Sequence, residues 1–456
     1  MEKIKNGITE GVIWKQILIF FFPILIGTFF QQLYNTVDAV VVGRFAGKEA
    51  LSSVGGSSSQ IINFVVGFFT GLSSGASVTI AQFFGAKDSR SANKGLHTAY
   101  AIAAFGGLIL TVSGIILTPF LLEMMNTPAD IVADSAVYLR IYFAGIIFVL
   151  IYNMGSAILR ATGDSKRPLY YLIVCCIINI VLDVLFVIVF HMGVMGVAVA
   201  TLIAQAVSAV LVTLKLMRSE GILKLSVKQI RFHGSILKMQ LKLGLPTGFE
   251  AILFSITNIA IQSAVNTFGT DTTAAWSAYG KLDAIFWMVS TAFGIAITTF
   301  VGQNYGAGKM DRVRKSTRVC LLMDFIVSAV LVVFLIAARF LLFRLFTNDS
   351  HVIEIGCDML VLITPWYIVY VFIEVIAGAL RGVGNVVVPV AITLLGVCVL
   401  RIAWLAAMLK ISPTISAIIL SYPVTWVITA LAFIIYYIYI THKTIAGSSK
   451  KHVPKL

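Results

Sequence analysis

The stretch LYYLIVCCIINIVLDVLFVIVF, Leu169 to Phe190, carries no lysine, arginine or histidine, and its polar interruptions are chiefly Asn179 and Asp183. A helix needs about 20 mainly apolar residues to cross the hydrocarbon of a bilayer, and this run supplies them. Its apolar residues do not alternate with polar ones, which excludes the roughly ten-residue alternating segments of a transmembrane β-barrel. A helix is then the arrangement that satisfies every backbone polar group inside lipid.

Working outward, comparable runs recur along the chain, separated by short loops that hold most of the charge, proline and glycine. They lie near 15–43, 55–83, 97–121, 132–158, 168–190, 195–217, 241–268, 281–303, 317–345, 355–379, 387–409 and 414–441. The expected fold class is an all-α membrane protein of twelve transmembrane helices. Of the 456 residues, 59 % are hydrophobic and 12 % charged, a balance that a water-soluble domain cannot carry without exposing large apolar surfaces. Ile13–Arg44 is too long for a secretory signal and has no small-residue cleavage site, so it reads as the first span.

The formal net charge is +14, and its distribution explains it. Lysine and arginine collect on alternate loops: around Lys3 to Lys15, Lys87 to Lys94, Arg160 to Arg167, the 215–242 stretch, Lys309 to Arg318, and Lys443 to Lys455. The opposite loops hold little beyond Arg44, Lys48, Lys281 and Lys410 and lean acidic near Glu123–Asp134 and Asp349–Asp358. The positive-inside rule assigns the first set, and both ends of the chain, to the cytoplasm. The expected location is a bacterial cytoplasmic membrane, with the lipid bilayer as partner and no nucleic acid. Cys175, Cys176, Cys320, Cys357 and Cys398 all lie within or beside apolar runs, where they read as packing residues rather than as a disulfide or zinc framework.

The chain repeats itself. Gln82-Phe83-Phe84-Gly85-Ala86 matches Gln303-Asn304-Tyr305-Gly306-Ala307, Leu159 to Asp164 matches Leu380 to Asn385, and Pro168 matches Pro389, each at an offset of 221 residues (303 − 82, 380 − 159 and 389 − 168). Pro23 and Pro246, Asn35 and Asn258, and Phe45 and Phe268 match at 223 (246 − 23). The expected organisation is a six-helix lobe over 1–217, a cytoplasmic linker over 218–240 and a second, pseudo-symmetric six-helix lobe over 241–456. An even number of spans per copy makes the copies parallel repeats, a plan used by secondary transporters that work by alternating access. Gly67, Gly71 and Gly75, at four-residue spacing, are expected to let helix backbones approach closely.

Ionisable groups inside spans are where function is to be sought, because a mid-membrane carboxylate costs roughly 2.5–3.5 kcal/mol on insertion scales. In the first span Gln31, Tyr34, Asn35 and Asp38 share one broad face, expected to look into the bundle. In the fifth, Asn179 and Asp183 are one turn apart, and Thr201 in the sixth supplies a hydroxyl. If these spans adjoin, two carboxylates meet away from water, and either a proton or a small cation must join them. Hard oxygen ligands suit Na⁺ or H⁺ rather than a transition metal. The acids are not repeated: Asp38 falls on Ile261 (38 + 223) and Asp183 on Trp404 (183 + 221). The second half has Glu250, Asp324, Glu374 and Arg401 instead, with Arg401 expected to pair with Glu374 or Asp324. No nucleophile–base set, metal-ligand spacing or phosphate-binding Gly-Lys-Ser/Thr loop is present, so neither an enzyme nor a cofactor is expected, and the energy must come from an ion gradient or a separate partner.

These features together resemble the multidrug and toxic compound extrusion (MATE) family over nearly the whole chain. The likeness rests on Pro23 through Gln31, Asn35 and Asp38, the paired Gln-x-x-Gly-Ala and Leu-Arg-x-x-Gly motifs, Asn179 to Asp183, and Gly193–Gln205 with Thr201. The resemblance implies export of small organic, often cationic compounds against inward Na⁺ or H⁺, by a protein expected to act as a monomer. In the DinF-like prokaryotic branch it implies that Asp38, Asn179, Asp183 and Thr201 bind the coupling cation, with Asn153 nearby. If that cation is Na⁺, its metal ligands are Asp38, Asn179 and Asp183. Gln31, Tyr34, Asn35, Asn153, Glu250, Asn258 and Glu374 are the candidate substrate and cavity residues. Glu250 and Glu374 lie in the helices that carry acids in the NorM branch, but away from the positions that branch uses. The alternative reading is a flippase for a lipid-linked saccharide or peptidoglycan precursor, which calls for several basic residues inside a cavity. Apart from Arg140, Arg339, Arg344 and Arg401, the basic residues here keep to the cytoplasmic face.

Overall fold

The computed structural model describes residues 7–448. Twelve helices are long and apolar enough to cross a membrane: α1 Ile13–Phe45, α2 Lys48–Gly85, α3 Ser89–Met124, α4 Val132–Ala161, α5 Lys166–Val189, α6 Gly193–Met217, α7 Gly234–Asn266, α8 Thr270–Gly306, α9 Met310–Arg344, α10 Ser350–Gly382, α11 Val387–Ile411 and α12 Ile415–His442. Every expected span is present, and no strand occurs among the described residues. At about 1.5 Å rise per residue, most of these helices exceed the ~30 Å hydrocarbon layer, so their ends carry turns of helix beyond it.

The described residues pack as two compact units, one holding Ile19–Phe249, the other the described residues before Ile19 together with those from Glu250 onward. The boundaries fall inside α1 and α7, each about one helical turn from a proline within the helix, Pro23 and Pro246. In the unit of residues 19–249, α4 is central and packs on α2, α3 and α6. In the other, α8 and α10 form the centre, with α9 and α12 against them.

The basic connection is shorter than the expected 218–240. Helix α7 starts at Gly234, because Ile236, Gln240 and Leu243 form a buried helical face, and the Gln240 Nε2 donates to the Gly95 carbonyl at 3.0 Å. What remains of the connection is tied to α3. The backbone N–H of Ser226 donates to His97 Nε2 at 3.0 Å, while His97 Nδ1 meets the Asn93 carbonyl at 2.8 Å. With Nε2 accepting from a backbone N–H, Nδ1 is the ring nitrogen placed to donate to the Asn93 carbonyl.

Helix ends account for the repeated motifs. In Leu159–Asp164 the Asp164 N–H bonds the Leu159 carbonyl at 2.9 Å around a left-handed Gly163, and Asn385 bonds Leu380 at 3.0 Å around Gly384. Both are glycine C-caps, in which the left-handed residue lets the chain turn back on the last carbonyls. The Gln-x-x-Gly-Ala copies end likewise at left-handed Lys87 and Gly308, also 221 apart (308 − 87). The internal symmetry thus extends to backbone conformation.

Beyond the Lys87 turn, Asp88 caps α3, its carboxylate accepting from the Ser91 N–H at 3.0 Å. That bond is the main cause holding the Asp88 carboxyl below its usual range. Asp88→Ala is expected to lower stability by about 1 kcal/mol at neutral pH. Because the folded-state value is depressed, the contribution is present above the unfolded value of about 4 and disappears as pH falls through the folded one. Thermal melts of parent and variant should therefore converge on acidification.

Candidate functional site

Three helices of the first unit bring the acids together. Asp38 comes from α1, Asn179 and Asp183 from α5, and Thr201 from α6, and all four are buried, Asp183 at 0 % and Asp38 at 6 % exposure. Helix α5 is α-helical from Lys166 to Asp183 and then widens into a π-helical turn, Val184–Val189. Such turns offset the helix face by an extra residue and recur at functional positions. Glycine at 196 lets the start of α6 lie on this turn, since a Cβ there would stand 3.1 Å from Phe186 Cβ and 3.3 Å from its carbonyl carbon.

The polar contacts within the site are long. Asn179 Nδ2 donates to Thr201 Oγ1 at 3.4 Å, and Thr201 Oγ1 donates to Asp38 Oδ2 at 3.4 Å. Asp183 lies within electrostatic and hydrogen-bonding reach of Asp38. Among the described residues, no donor meets Asp38 Oδ1, Asn179 Oδ1 or either oxygen of Asp183. The site is therefore rich in acceptors and poor in donors, in surroundings where each unsatisfied polar group costs several kcal/mol. A positive ion, H⁺ or Na⁺, is the chemical complement of such a cluster.

The first-span face divides. Tyr34 and Asp38 are buried, with Tyr34 Oη accepting from Gln205 Nε2 at 3.4 Å, whereas Gln31 and Asn35 are exposed. The face that the spacing groups together thus carries two buried and two exposed side chains. Asn153 is half-buried on α4.

In the second unit Asn258 is exposed and Glu250 and Glu374 are half-buried. The expected pairing of Arg401 with Glu374 or Asp324 is not formed. Glu374 Oε1 is bonded instead by Arg381 Nη2 at 3.1 Å, two turns along the same helix, and Asp324 Oδ1 accepts from Ser328 at 3.2 Å. A carboxylate that sequence reading passed over is Asp283 on α8. Its Oδ1 accepts from Tyr279 at 3.3 Å and from Tyr367, and its Oδ2 from Trp287 Nε1 at 2.7 Å. The signal was available: Trp276, Asp283 and Trp287 fall on one side of the helix at intervals of seven and four residues. No group of three or more His, Cys, Asp or Glu side chains arranged for a metal occurs among the described residues.

The family model described as MatE matches residues 23–185 and 246–405. The chain is similar to the probable multidrug resistance protein YoeA of Bacillus subtilis, 29 % identical over 393 residues, covering 84 % of this chain and 84 % of that protein. It is similar also to the probable multidrug resistance protein NorM of Thermotoga maritima, at 28 % identity with 83 % and 82 % covered. Among solved structures, a MOP superfamily transporter from Pyrococcus furiosus, described as having a binding pocket of reverse polarity, superposes with a TM-score of 0.90 at 21 % identity, over 99 % of this chain and 100 % of that one. A MATE structure in the bent conformation gives 0.92 at 20 % identity, with the same coverage.

Proposed function

This chain belongs to the MatE family of multidrug efflux transporters, and on that premise we propose that it is an antiporter exporting small organic cations against an inward flow of H⁺ or Na⁺. Family membership favours this efflux reading over the flippase. The observation that carries the coupling is the surplus of buried acceptor oxygens on Asp38, Asn179 and Asp183.

In this reading the ion enters between Asp38 and Asp183, with Asn179 Oδ1 and Thr201 Oγ1 as further oxygen ligands. Binding cancels the mutual repulsion of the carboxylates. Its departure leaves uncompensated negative charge inside an apolar bundle, a state that a conformation admitting water or an organic cation relieves. A ligand shifts a conformational equilibrium only by its differential affinity for the two states, and this site offers such a difference because its energy depends steeply on occupancy. Gln31 and Asn35, exposed on α1 above buried Tyr34, and half-buried Asn153 offer amide groups to substrate in the first unit. In the second, Asn258 offers an amide and Glu250 and Glu374 offer carboxylates. The loop charges support placing both ends of the chain in the cytoplasm, in a bacterial cytoplasmic membrane.

Purified protein in liposomes, loaded with a cationic dye and given Na⁺ and proton gradients separately, tests the proposal. One of the two gradients should accelerate dye efflux and its dissipation should abolish the effect. Dye movement indifferent to both would sink the coupling mechanism.

A further inference from the structure

Where α9 ends and α10 and α12 begin, the second unit holds a cavity of about 870 Å³. Pockets that take up a drug-sized molecule run from about 300 to 1,000 Å³, so this one has room for a substantial ligand. Its lining is ordered along the helices. On α10, Glu354 and Asp358 stand one turn apart, and Val361 and Leu362 follow about one turn further in on the same side. On α9, Arg344 is at the helix end and Phe340 one turn inside it. Charge gathers at the end of the bundle and exposed apolar side chains lie beyond it, the order met on passing from a headgroup layer into hydrocarbon.

Charges of both signs share this space without pairing. Arg339, Arg344, Glu354 and Asp358 all line the cavity, and none of the four is in an ion pair among the described residues. Arg339 is half-buried; its Nη1 donates to the Ile336 carbonyl at 2.8 Å, and its guanidinium lies over the Phe340 ring at 4.7 Å. A guanidinium has five N–H donors, so most of that capacity is left for an acceptor. Arg339 and Asp358 both act electrostatically on Cys357, a buried residue of the cavity wall, so one cation and one anion of the set lie near a common point.

We propose that this cavity binds a phospholipid with a primary-amine headgroup, phosphatidylethanolamine. Arg339 and Arg344 take its phosphate, Glu354 and Asp358 its ammonium, and Phe340, Val361 and Leu362 the start of an acyl chain. The match is one of charge: two cations and two anions complement a zwitterion, whereas an anionic glycerol headgroup brings nothing for the acids. A primary ammonium also donates N–H bonds to carboxylates, which the trimethylammonium of choline cannot do. Basic pockets between spans hold lipid headgroups, and here the added acids select among them. Binding of this kind is independent of the export reading, and neither Asp38 nor Asp183 takes part in it.

The full-length protein, freed of co-purified lipid in detergent, is titrated with the dioleoyl forms of phosphatidylethanolamine, phosphatidylcholine and phosphatidylglycerol, and lipid-bound species are counted by native mass spectrometry. The first lipid should bind about fivefold or more tightly when it carries ethanolamine than when it carries either other headgroup. Arg344→Gln should weaken the ethanolamine lipid about fivefold. Glu354→Gln combined with Asp358→Asn should reverse the preference, because the ammonium loses its acceptors while the glycerol lipid is freed of two repelling charges. A merely structural role would move all three lipids together. These three side chains are exposed, so the variants should melt with the parent. Equal wild-type affinity for the ethanolamine lipid and either of the others, or an unchanged preference in the doubly neutralised variant, overturns the proposal. So does displacement of the lipid by equimolar soluble phosphoethanolamine, which would make the cavity a site for a free zwitterion.

Discussion

Asp38→Asn is expected to abolish gradient-driven efflux and to leave the protein folded in the membrane. The two outcomes follow from the same imbalance at the site. Asparagine has nearly the shape of aspartate but brings an NH₂ group, and two oxygens of Asp183 beside it have no donor. The variant side chain therefore relieves orphaned acceptors, and the bundle should be as stable as the parent or more so. Ion binding loses one of its two negative charges in a desolvated pocket. Removing one partner from a buried charge pair costs about 3–5 kcal/mol, a loss of roughly a hundredfold or more in affinity, which takes the site out of any usable ion concentration. Asp183→Asn should behave alike, while Asn179→Ala, which removes a neutral ligand, should weaken coupling by less. Efflux from liposomes alongside size-exclusion profiles and thermal melts separates the two effects. Full transport by the Asp38 variant would remove the coupling role from this site.

Gly75→Leu is expected to unfold the first unit, or to leave so little folded protein that transport is lost. Helices α2 and α7 cross where Gly71 and Gly75 face Gly248 and Gly244. A Cβ at Gly75 would stand 2.4 Å from the Gly244 nitrogen and 2.5 Å from the Gln240 carbonyl, and one at Gly71 would stand 2.4 Å from the Gly248 nitrogen. These obstacles are backbone, so no change of rotamer removes the clash and the helices must separate. Overpacking a close contact typically costs 1–3 kcal/mol, and an isobutyl group set between two touching backbones belongs at or above about 3. Separation also forfeits the packing that associates helices in lipid, where no hydrophobic force draws them together. Gly234→Ala is the matching control, because a Cβ there meets nothing within 4 Å. Yield of monodisperse protein and melting temperature are the readouts, and a Gly75→Leu protein as stable as the control would refute the crossing.

Much of the first site is legible in the chain. Asp183 and Asn179 stand one turn apart in an otherwise apolar run, and Asp38 interrupts another, so the cost of each in lipid advertises it. Spacing alone did not divide the first-span face, since a helical stripe is broad and only the neighbours decide which flank they cover. The Arg381–Glu374 pair was readable as seven residues, or about two turns, on one helix. It was obscured because charge inventories invite pairing between helices rather than along one. Asp283 was hidden by its surroundings: three neutral donors from two helices satisfy it, and nothing local announces that they meet.

Composition and periodicity alone determined the all-helical class, the twelve spans and the tandem repeat, because lipid forbids unpaired backbone and leaves helices as the answer for each apolar run. The glycine caps, repeated at one offset, belong to the same local physics. Which orphaned oxygens collect around Asp183, where α5 widens into its π turn, and why Arg401 pairs with neither Glu374 nor Asp324 were decided by tertiary packing. Each is a matter of which groups from distant helices arrive, and which do not, and no local pattern encodes the partner that fails to appear.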